Sequence, residues 1–236
     1  MTEKKVVLID RIKRTPTIGS FRFACTEKID FLPGQFLQVI FDEKDRNNKE
    51  LNKYLSFSSA PTKQYIEVTK RISESKFSKK LTSLNINDSA LLKAPMGDRV
   101  FKEEYKKIAF LIGGIGITPV ISILEYIVKK KLSTDAALFY SNRIEEDIAF
   151  RQELDYWRGA NKNIKVFYTL TEYQPVDSSY IFGRIDKDLV IRESKDYLER
   201  IIFIFGPPKM VEAMQALCLE IGCRKEDIKT ENFIGY

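Results

Sequence analysis

The sequence predicts a small antiparallel β-barrel followed by a doubly wound α/β domain. Over the first hundred residues, short β-branched and aromatic runs alternate with turn residues, which is typical of a barrel. Beyond residue 108, strand patterns alternate with helix patterns, which favours a parallel sheet. A charged segment, Lys102–Lys107, separates the two patterns. We therefore expect a barrel domain over residues 1–103 and an α/β domain over residues 104–236, each long enough to bury a core.

Six short strands and one helix make up the predicted barrel. The turn residues between the strands include Pro33-Gly34 and Asn47-Asn48. The helix is expected over residues 75–84, where Phe77, Leu81 and Leu84 share one face. The strands are predicted at residues 4–9, 21–26, 35–41, 54–58, 65–70 and 90–93.

Four strands and four helices alternate in the second half. An uncharged run over residues 108–124 opens it, and its 17 residues just reach the lower limit for a membrane span. The glycines, proline, threonine and serine in this run favour a soluble strand–turn–helix unit, so we expect no membrane span. The strands are predicted at residues 108–112, 136–140, 164–169 and 201–205, and the helices at residues 119–131, 145–157, 187–192 and 208–221.

The composition excludes several classes of enzyme. The 236 residues include no histidine, which excludes Ser-His-Asp and Cys-His nucleophilic sites, histidine-ligated zinc and histidine-ligated haem. Catalysis near neutral pH would then depend on a bound cofactor. Cys25, Cys218 and Cys223 match neither a disulfide framework nor an iron–sulfur spacing, so no metal site is predicted. Reduced thiols, with no signal-peptide pattern, indicate the cytoplasm.

The chain is basic, with a formal net charge of +6 and an isoelectric point near 9.0. Such a balance favours an acidic partner. The basic residues are scattered, apart from short clusters at Lys129–Lys131 and within Lys102–Lys107. A nucleic-acid interface would need a denser basic stripe interleaved with aromatic residues. We therefore expect an acidic protein partner and no nucleic acid.

A glycine-rich turn at residues 113–118 is the most informative motif. An apolar strand ends at clustered glycines, and Thr118 and Pro119 then provide a helix cap and a first helical residue. Gly114 and Gly116 let the backbone approach an anion, and unpaired N–H groups of the first helical turn point at it. The motif lacks the third glycine of the dinucleotide fingerprint, so either a pyrophosphate site or a plain buried turn fits it.

Two further polar motifs lie in the barrel half. In the first, Lys53–Pro61, strand alternation places residues 53, 55, 57 and 59 on one side and residues 54, 56 and 58 on the other. A strand with a mixed edge is the alternative interpretation. In the second, Ser75–Ser78, hydroxyls and free N–H groups at a helix start suit a phosphate, although the segment taken alone favours ordinary N-capping.

The α/β half carries polar residues where its predicted strands end, at the edge where doubly wound sheets bind ligands. Gly206 and Pro207 begin the turn into the last helix. Ser141 and Arg143 follow the second strand, where no acidic residue is available for a ribose 2′-hydroxyl. They suit a 2′-phosphate instead, with a solvated arginine as the alternative. Arg184 is a second candidate cation.

Taken in order, five motifs resemble those of the ferredoxin–NADP reductase superfamily of flavoproteins. The resemblance covers almost the whole chain, and the motifs follow the family's order and spacing. They are similar to its early barrel motif, its flavin motif, the start of its pyrophosphate-binding helix, its pyridine-nucleotide motif and its nicotinamide-side loop. The five segments are Phe31–Phe36, Lys53–Pro61, Ser75–Leu81, Gly113–Pro119 and Gly206–Met210.

The resemblance implies FAD held mainly by the barrel, with NADPH or NADH docking on the α/β half as co-substrate. Lys53 would pair with the FAD pyrophosphate, and Ser56 would hydrogen-bond near the reactive flavin edge. The other residues implied at the FAD site are Tyr54, Leu55, Ser59 and Ser78.

On the nucleotide side, Gly114, Gly116 and Thr118 would hold the pyrophosphate and the nicotinamide side. Glu231 matches an acidic residue of the family's C-terminal segment and, with Ser56, is the implied catalytic residue. The remaining predicted contacts are Ser141, Arg143, Arg184, Gly206 and Pro207, with Phe233 or Tyr236 covering the flavin where nicotinamide enters.

The implied activity is an FAD-dependent NAD(P)H oxidoreductase. Hydride would pass to the flavin, and single electrons would then leave to ferredoxin, flavodoxin or a similar small acidic carrier. A reductase component or subunit serving an oxygenase or cytochrome is one alternative, and a non-catalytic nucleotide-binding module is another. The chain departs from the family at Lys53 (usually arginine), Leu55 (usually aromatic) and Phe205 (often cysteine). Arg143 favours NADPH over NADH.

Overall fold

Two six-stranded sheets form the framework of the chain. The computed structural model describes residues 1–233, so the predicted Tyr236 lies outside the described residues. The chain divides into two compact units. The first comprises Met1–Phe101 together with Thr118–Lys129, and the second comprises Lys102–Ile117 together with the chain from Lys130 onward.

The first unit contains the antiparallel sheet. Its strands are β1 (Thr2–Lys13), β2 (Ile18–Ala24), β3 (Phe36–Ile40), β4 (Asn52–Ser56), β5 (Ile66–Arg71) and β6 (Ser89–Met96). They lie in the order β4-β3-β6-β1-β2-β5, and every pairing is antiparallel. A bridge between Phe57 and Val68 joins the chain after β4 to β5, the two strands at opposite edges of the sheet. The predicted six-stranded barrel is therefore confirmed.

The barrel core is filled by alternating strand residues and by one helix, α1 (Lys76–Ser83). Phe77 and Leu81 of α1 are fully buried, as expected for residues that share one helical face. Ser75 caps the helix, because its hydroxyl accepts the N–H of Ser78 at 3.2 Å. The N-capping interpretation of this segment is thus correct as far as Ser75 is concerned.

The second sheet is parallel throughout. Its strands are β7 (Lys107–Gly113), β8 (Asp135–Asn142), β9 (Ile164–Leu170), β10 (Tyr180–Phe182), β11 (Ile201–Gly206) and β12 (Ile228–Asn232), in the order β10-β9-β8-β7-β11-β12. The chain runs outward from β7 to β10 and then returns to β11 on the other side of β7. The direction of winding therefore reverses between β7 and β11, which is where open α/β sheets bind ligands.

Four further α-helices follow in the described chain: α2 (Ile117–Lys130), α3 (Arg151–Ala160), α4 (Lys187–Glu193) and α5 (Pro208–Glu220). A 3-10 turn at Gly114–Gly116 leads directly into α2. Thr118 and Pro119 therefore lie within the first turn of α2, and the predicted start at residue 119 is two residues late. Proline is still tolerated there, because the first four N–H groups of a helix have no intrahelical partner.

The predicted helix over residues 145–157 is wrong in its first half. Glu145–Asp147 forms only a 3-10 turn, and α3 begins at Arg151. Phe150 breaks the helix with a left-handed backbone, φ 61°, while its side chain is buried. Burial of the ring offsets the conformational strain, which a sequence pattern cannot reveal. Among residues 1–233, no helix combines the length and apolar character that crossing a bilayer requires.

Candidate functional site

Strand β4 presents the first group of predicted ligand contacts. Lys53 is half-buried, and Ser56, at the end of the strand, is buried. Leu55 packs against the barrel core, whereas Tyr54 points outward and meets Phe36 edge-on, with ring centroids 5.9 Å apart. The aromatic side chain that this strand exposes is therefore Tyr54.

Lys70 of β5 is a functional candidate that sequence reasoning missed. Its side chain is 8% exposed, and within residues 1–233 it makes no hydrogen bond or ion pair. Burial, reinforced by the positive charge of Lys53, lowers the pKa of Lys70. Burying an unpaired charge costs several kcal/mol, so the arrangement suits an anionic ligand that supplies the missing partner. The available signal was a lysine within an alternating apolar strand.

The other buried charge of β5 is fully paired, which sets Lys70 apart. Glu67 is 2% exposed, and its carboxylate accepts Nη2 of Arg14 and Nε of Arg22, both at 2.7 Å. A buried carboxylate with two guanidinium partners needs no ligand. The requirement for an external counter-charge is therefore confined, on this strand, to Lys70.

Ser59 is buried and already uses its hydroxyl within the barrel. The hydroxyl accepts the N–H of Glu67 at 3.0 Å and donates to the carbonyl of Tyr65 at 3.5 Å. Beside it, the hydroxyls of Ser58 and Thr69 are 2.7 Å apart. These bonds fix the chain after β4 against β5, and a contact from Ser59 to a flavin phosphate stays a prediction.

Three serines surround the first turn of α1. The hydroxyl of Ser78 lies 3.2 Å from that of Ser73 and 3.1 Å from that of Ser75, and Ser78 is fully buried. Free N–H groups at a helix N-terminus and clustered hydroxyls are donors that phosphate oxygens accept. With Lys70 a few residues upstream, this stretch of the barrel offers a donor set that fits a pyrophosphate such as that of FAD.

In the second unit, the glycine turn follows β7 at the point where the winding reverses. Gly114 has φ 51°, and a Cβ there would meet nothing within 4 Å, so the turn is open on that side. Gly116 differs, since its Cβ would lie 2.3 Å from the carbonyl oxygen of Phe205. Gly116 therefore lets the turn pack against β11, whereas the open side of Gly114 leaves room for a ligand to approach the backbone.

Arg143 follows β8 and forms an ion pair with Glu172, which follows β9. Its Nε donates to Oε1 of Glu172 at 2.6 Å, and both side chains are exposed. An exposed pair of this kind is worth about 0–1 kcal/mol, so a phosphate could exchange with the carboxylate. Glu172 was not predicted from the sequence, and it places an acidic side chain beside Arg143.

Two buried polar side chains at the same sheet edge were also missed. Asn142 is 5% exposed, and neither its amide oxygen nor its amide nitrogen has a hydrogen-bond partner among the described residues. The hydroxyl of Thr169, at the end of β9, is likewise unpaired there. Ser141 is paired with Thr169 in register, so these two share a face and Asn142 points to the other. An unsatisfied buried group costs about 1–3 kcal/mol, which favours a ligand at this edge.

The remaining predicted nucleotide contacts are divided between the ends of β10, β11 and β12 and the starts of α2 and α5. Arg184, two residues after β10, is exposed and forms no ion pair within the described chain. The carbonyl of Gly206 accepts the N–H of Phe233 at 2.9 Å, and Glu231 is part-buried opposite Phe205 in β12. Thr118 is buried and Pro207 is exposed at the start of α5.

Phe205, which replaces a cysteine of the family pattern, is a core residue. Its ring is fully buried and lies 5.8 Å from that of Phe203. Residues 1–233 contain no cluster of three or more cysteine, aspartate or glutamate side chains that would hold a metal ion. The unpaired polar groups of this unit, the Asn142 amide and the Thr169 hydroxyl, suit a nucleotide. The open glycine turn suits the same kind of ligand.

Two family profiles match the chain, one for each part of this description. The profile described as "Oxidoreductase FAD-binding domain" matches residues 5–101, and the one described as "Oxidoreductase NAD-binding domain" matches residues 110–216. Among characterised relatives, NADH-cytochrome b5 reductase 1 of Mortierella alpina is 26% identical over 227 residues, which cover 94% of this chain and 76% of the relative.

Solved structures show the same fold. The cytochrome b5 reductase domain of Ulva prolifera nitrate reductase superposes with a TM-score of 0.83 at 22% identity, covering 98% of this chain and 97% of that one. A ferredoxin NADP+ reductase from Neisseria gonorrhoeae with bound FAD and NADP superposes with a TM-score of 0.81 at 21% identity, covering 98% and 99%. The expected FAD and NAD(P)H cofactors are confirmed by the two profiles. The chain therefore belongs to the ferredoxin–NADP reductase-like flavoproteins and is an NAD(P)H-dependent flavoprotein reductase.

Proposed function

We propose that this reductase passes electrons, one at a time, from FAD to a small acidic electron-carrier protein, a haem protein of the cytochrome b5 type being the first candidate. The observation that carries the proposal is the combination, in one chain, of an anion-binding donor set around Lys70 with a glycine turn at the reversal point of a parallel sheet. When bound, FAD supplies the hydride acceptor and the one-electron donor.

The residues of the chain have binding and orienting roles in this scheme. Lys53 and Lys70 neutralise the FAD pyrophosphate. Two lysine point charges thus take the place of the single arginine of the family, which would bind the phosphate with two hydrogen bonds. Ser56, buried at the end of β4, orients the reactive flavin edge through a hydrogen bond. The open side of Gly114 admits the pyrophosphate of the visiting nucleotide, and Glu231 remains the proposed acidic residue of the site.

The nature of the carrier is proposed from charge and from the relatives. A net charge of +6 would speed encounter with an acidic protein. Relatives named NADH-cytochrome b5 reductase support a haem protein, and the resemblance to ferredoxin–NADP reductases supports ferredoxin or flavodoxin as a second candidate. We further propose a reducing compartment such as the cytoplasm, on the support of three free cysteines, Cys25, Cys218 and Cys223.

Anaerobic titration of the FAD-loaded protein with NADH and with NADPH tests the first half of the scheme. We expect the yellow flavin colour to bleach with at least one nucleotide, and no bleaching with either would refute the function. The second half is tested with cytochrome b5, ferredoxin and flavodoxin as alternative acceptors. Reduction of the true carrier should slow as salt rises, because salt screens the attraction. A salt-independent rate would contradict docking through charge.

A further inference from the structure

Glu125 of α2 lies against the segment that follows β4. Its Oε2 accepts the backbone N–H of Ala60 at 2.8 Å, and its Oε1 lies 2.8 Å from Nζ of Lys63. The Glu125 side chain is only 15% exposed, and all three residues belong to the same compact unit. Both carboxylate oxygens are therefore used in holding one short stretch of chain.

These contacts are stronger than those of an ordinary surface pair. Ala60 is fully buried, so its N–H depends on the Glu125 carboxylate for a partner, and a charged acceptor strengthens that bond. Burial alone would lower the pKa of Lys63, but the hydrogen bond and negative charge of Glu125 outweigh it and raise the pKa. Lys63 is thus charged at neutral pH.

Ala60 ends the run Ser56–Ala60, which carries two of the predicted flavin contacts, Ser56 and Ser59. The middle of this run is held by β5, through the hydrogen bonds of Ser58 to Thr69 and of Ser59 to Glu67. Its end is held from another direction, by Glu125. The run is therefore fixed between a strand and a helix, and the helix contributes its part through one side chain.

The helix that carries Glu125 also carries the end of the glycine turn. Thr118, a predicted nucleotide contact, precedes Glu125 by seven residues, which is two helical turns along the same face and about 10 Å. Glu125 is the only acidic residue of α2. Its placement opposite Ala60 therefore connects a segment predicted to contact FAD with the first turn of a helix predicted to contact NAD(P)H.

We infer that Glu125 is a positioning residue for flavin reduction, which holds Ser56–Ala60 and the first turn of α2 at a fixed separation. It acts through Ala60 and Lys63 and need not touch either cofactor. The inference rests on the proposed roles of Ser56 and Thr118. Because reacting atoms must be held to within a fraction of an ångström, a shift of about 1 Å in such a segment can slow a reaction about a hundredfold.

Two variants of nearly equal size separate the hydrogen bond from the charge. Glu125→Met fills the same space but cannot accept the N–H of Ala60, whereas Glu125→Gln keeps a carbonyl acceptor and loses only the charge. Lys63→Met removes the ion pair and leaves the Glu125 bond to Ala60. As a control, Glu220→Met breaks an exposed pair with Lys187 (2.8 Å) elsewhere on the chain.

Three quantities are measured on each FAD-loaded variant: hydrogen–deuterium exchange of the peptide that contains Ala60, the FAD dissociation constant, and the single-turnover rate of flavin reduction by NADH or NADPH. For Glu125→Met we expect exchange at Ala60 to rise about tenfold or more and flavin reduction to slow about tenfold or more. The FAD dissociation constant should change by less than about threefold. Glu125→Gln, Lys63→Met and Glu220→Met should stay within about threefold of the wild type in all three.

Faster exchange in Glu125→Met with an unchanged rate of flavin reduction would overturn the inference while leaving the reductase function intact. Equal slowing in Glu125→Gln and Glu125→Met would also overturn it, because the bond to Ala60 would not be the cause. If Glu125→Met fails to fold, Ala60 exchange and flavin reduction in Glu125→Gln must still match the wild type. A wild-type flavin that neither nucleotide reduces would instead refute the proposed function, and this inference with it.

Discussion

Replacing Lys70 by methionine should stabilise the FAD-free protein and weaken FAD binding. The substitution keeps the length and apolar stem of the side chain and removes only the ammonium group. In the described chain Lys70 is largely buried and its ammonium group forms no hydrogen bond or ion pair, and the nearby charge of Lys53 adds repulsion. Removing an uncompensated buried charge should raise the free energy of unfolding of the FAD-free protein by about 1–3 kcal/mol.

The effect on FAD has the opposite sign. A hydrogen bond to a charged group contributes about 1.5–3 kcal/mol, and each 1.4 kcal/mol is a factor of ten in affinity. FAD affinity should therefore fall about 10- to 100-fold in Lys70→Met. The lowered pKa of Lys70 in the FAD-free protein does not change this expectation, because a bound phosphate favours the charged form of the lysine.

Urea unfolding of the FAD-free protein and quenching of flavin fluorescence on binding measure the two effects separately. Lys13→Met is the matched control, since Lys13 is an exposed strand lysine of the same barrel and should change both quantities by less than about 0.5 kcal/mol. If Lys70→Met destabilises the FAD-free protein, or binds FAD as tightly as the wild type, the assignment of Lys70 to an anionic ligand is refuted.

Three further predictions concern the second unit. Hydrogen bonds from Arg200 and Lys107 outweigh burial and lower the pKa of Asp196 to about 2, so its contribution exists above the unfolded pKa near 4 and is lost as the pH falls towards 2. Urea unfolding should show the wild type losing about 2 kcal/mol more than Asp196→Asn between pH 5 and pH 2, and parallel losses would contradict this. Gly116→Ala should lower stability by about 2–3 kcal/mol, because its Cβ would lie 2.3 Å from the Phe205 carbonyl oxygen, whereas Gly159→Ala in α3 meets nothing within 4 Å and should raise stability by about 0.5–1 kcal/mol. Thermal melts of the two variants test this difference, and equal melting temperatures would contradict it. Arg143→Ala should reduce kcat/KM for NADPH much more than for NADH, and Glu172→Gln should raise kcat/KM for NADPH by at most about fivefold, because the exposed pair is worth about 0–1 kcal/mol. Equal changes for both nucleotides would show that neither residue distinguishes the 2′ position.

The fold was largely predictable because its main elements carry strong local patterns. The central strands of the parallel sheet are largely apolar runs, and the two helices that follow the glycine and proline turns, α2 and α5, begin within two residues of where the pattern places them. The edge strands were not predictable in the same way. β10 has three residues and β12 reads Ile-Lys-Thr-Glu-Asn, so each exists because a neighbouring strand offers it backbone partners rather than through its own pattern.

The candidate site divides along a different line. Glycine turns and hydroxyl clusters can be predicted from a sequence, because their residue types and spacing identify them. The meaning of Lys70, Asn142 and Glu125 depends on what distant elements do or do not place beside them. A strand lysine is ordinary until it is found largely buried without an ion pair in the part of the chain that the structure describes, whereas Glu67, three residues earlier, is paired with two arginines.

That contrast also indicates where selection for ligand binding outweighs selection for stability. A chain able to pair Glu67 twice could have paired or removed Lys70, and it could have replaced Asn142 by an apolar residue at the end of β8. Asn142 instead keeps two buried amide atoms without a partner, and Lys70 is left largely buried without an ion pair among the described residues, at a cost of about 1–3 kcal/mol for each. One of these groups is a cation on β5, a few residues before the serines at the start of α1, and the other is an amide at the carboxyl edge of the parallel sheet. Their chemistry matches the two ligands that the fold implies, a flavin pyrophosphate and a nicotinamide nucleotide, so binding of each ligand should stabilise the unit that contains the corresponding residue.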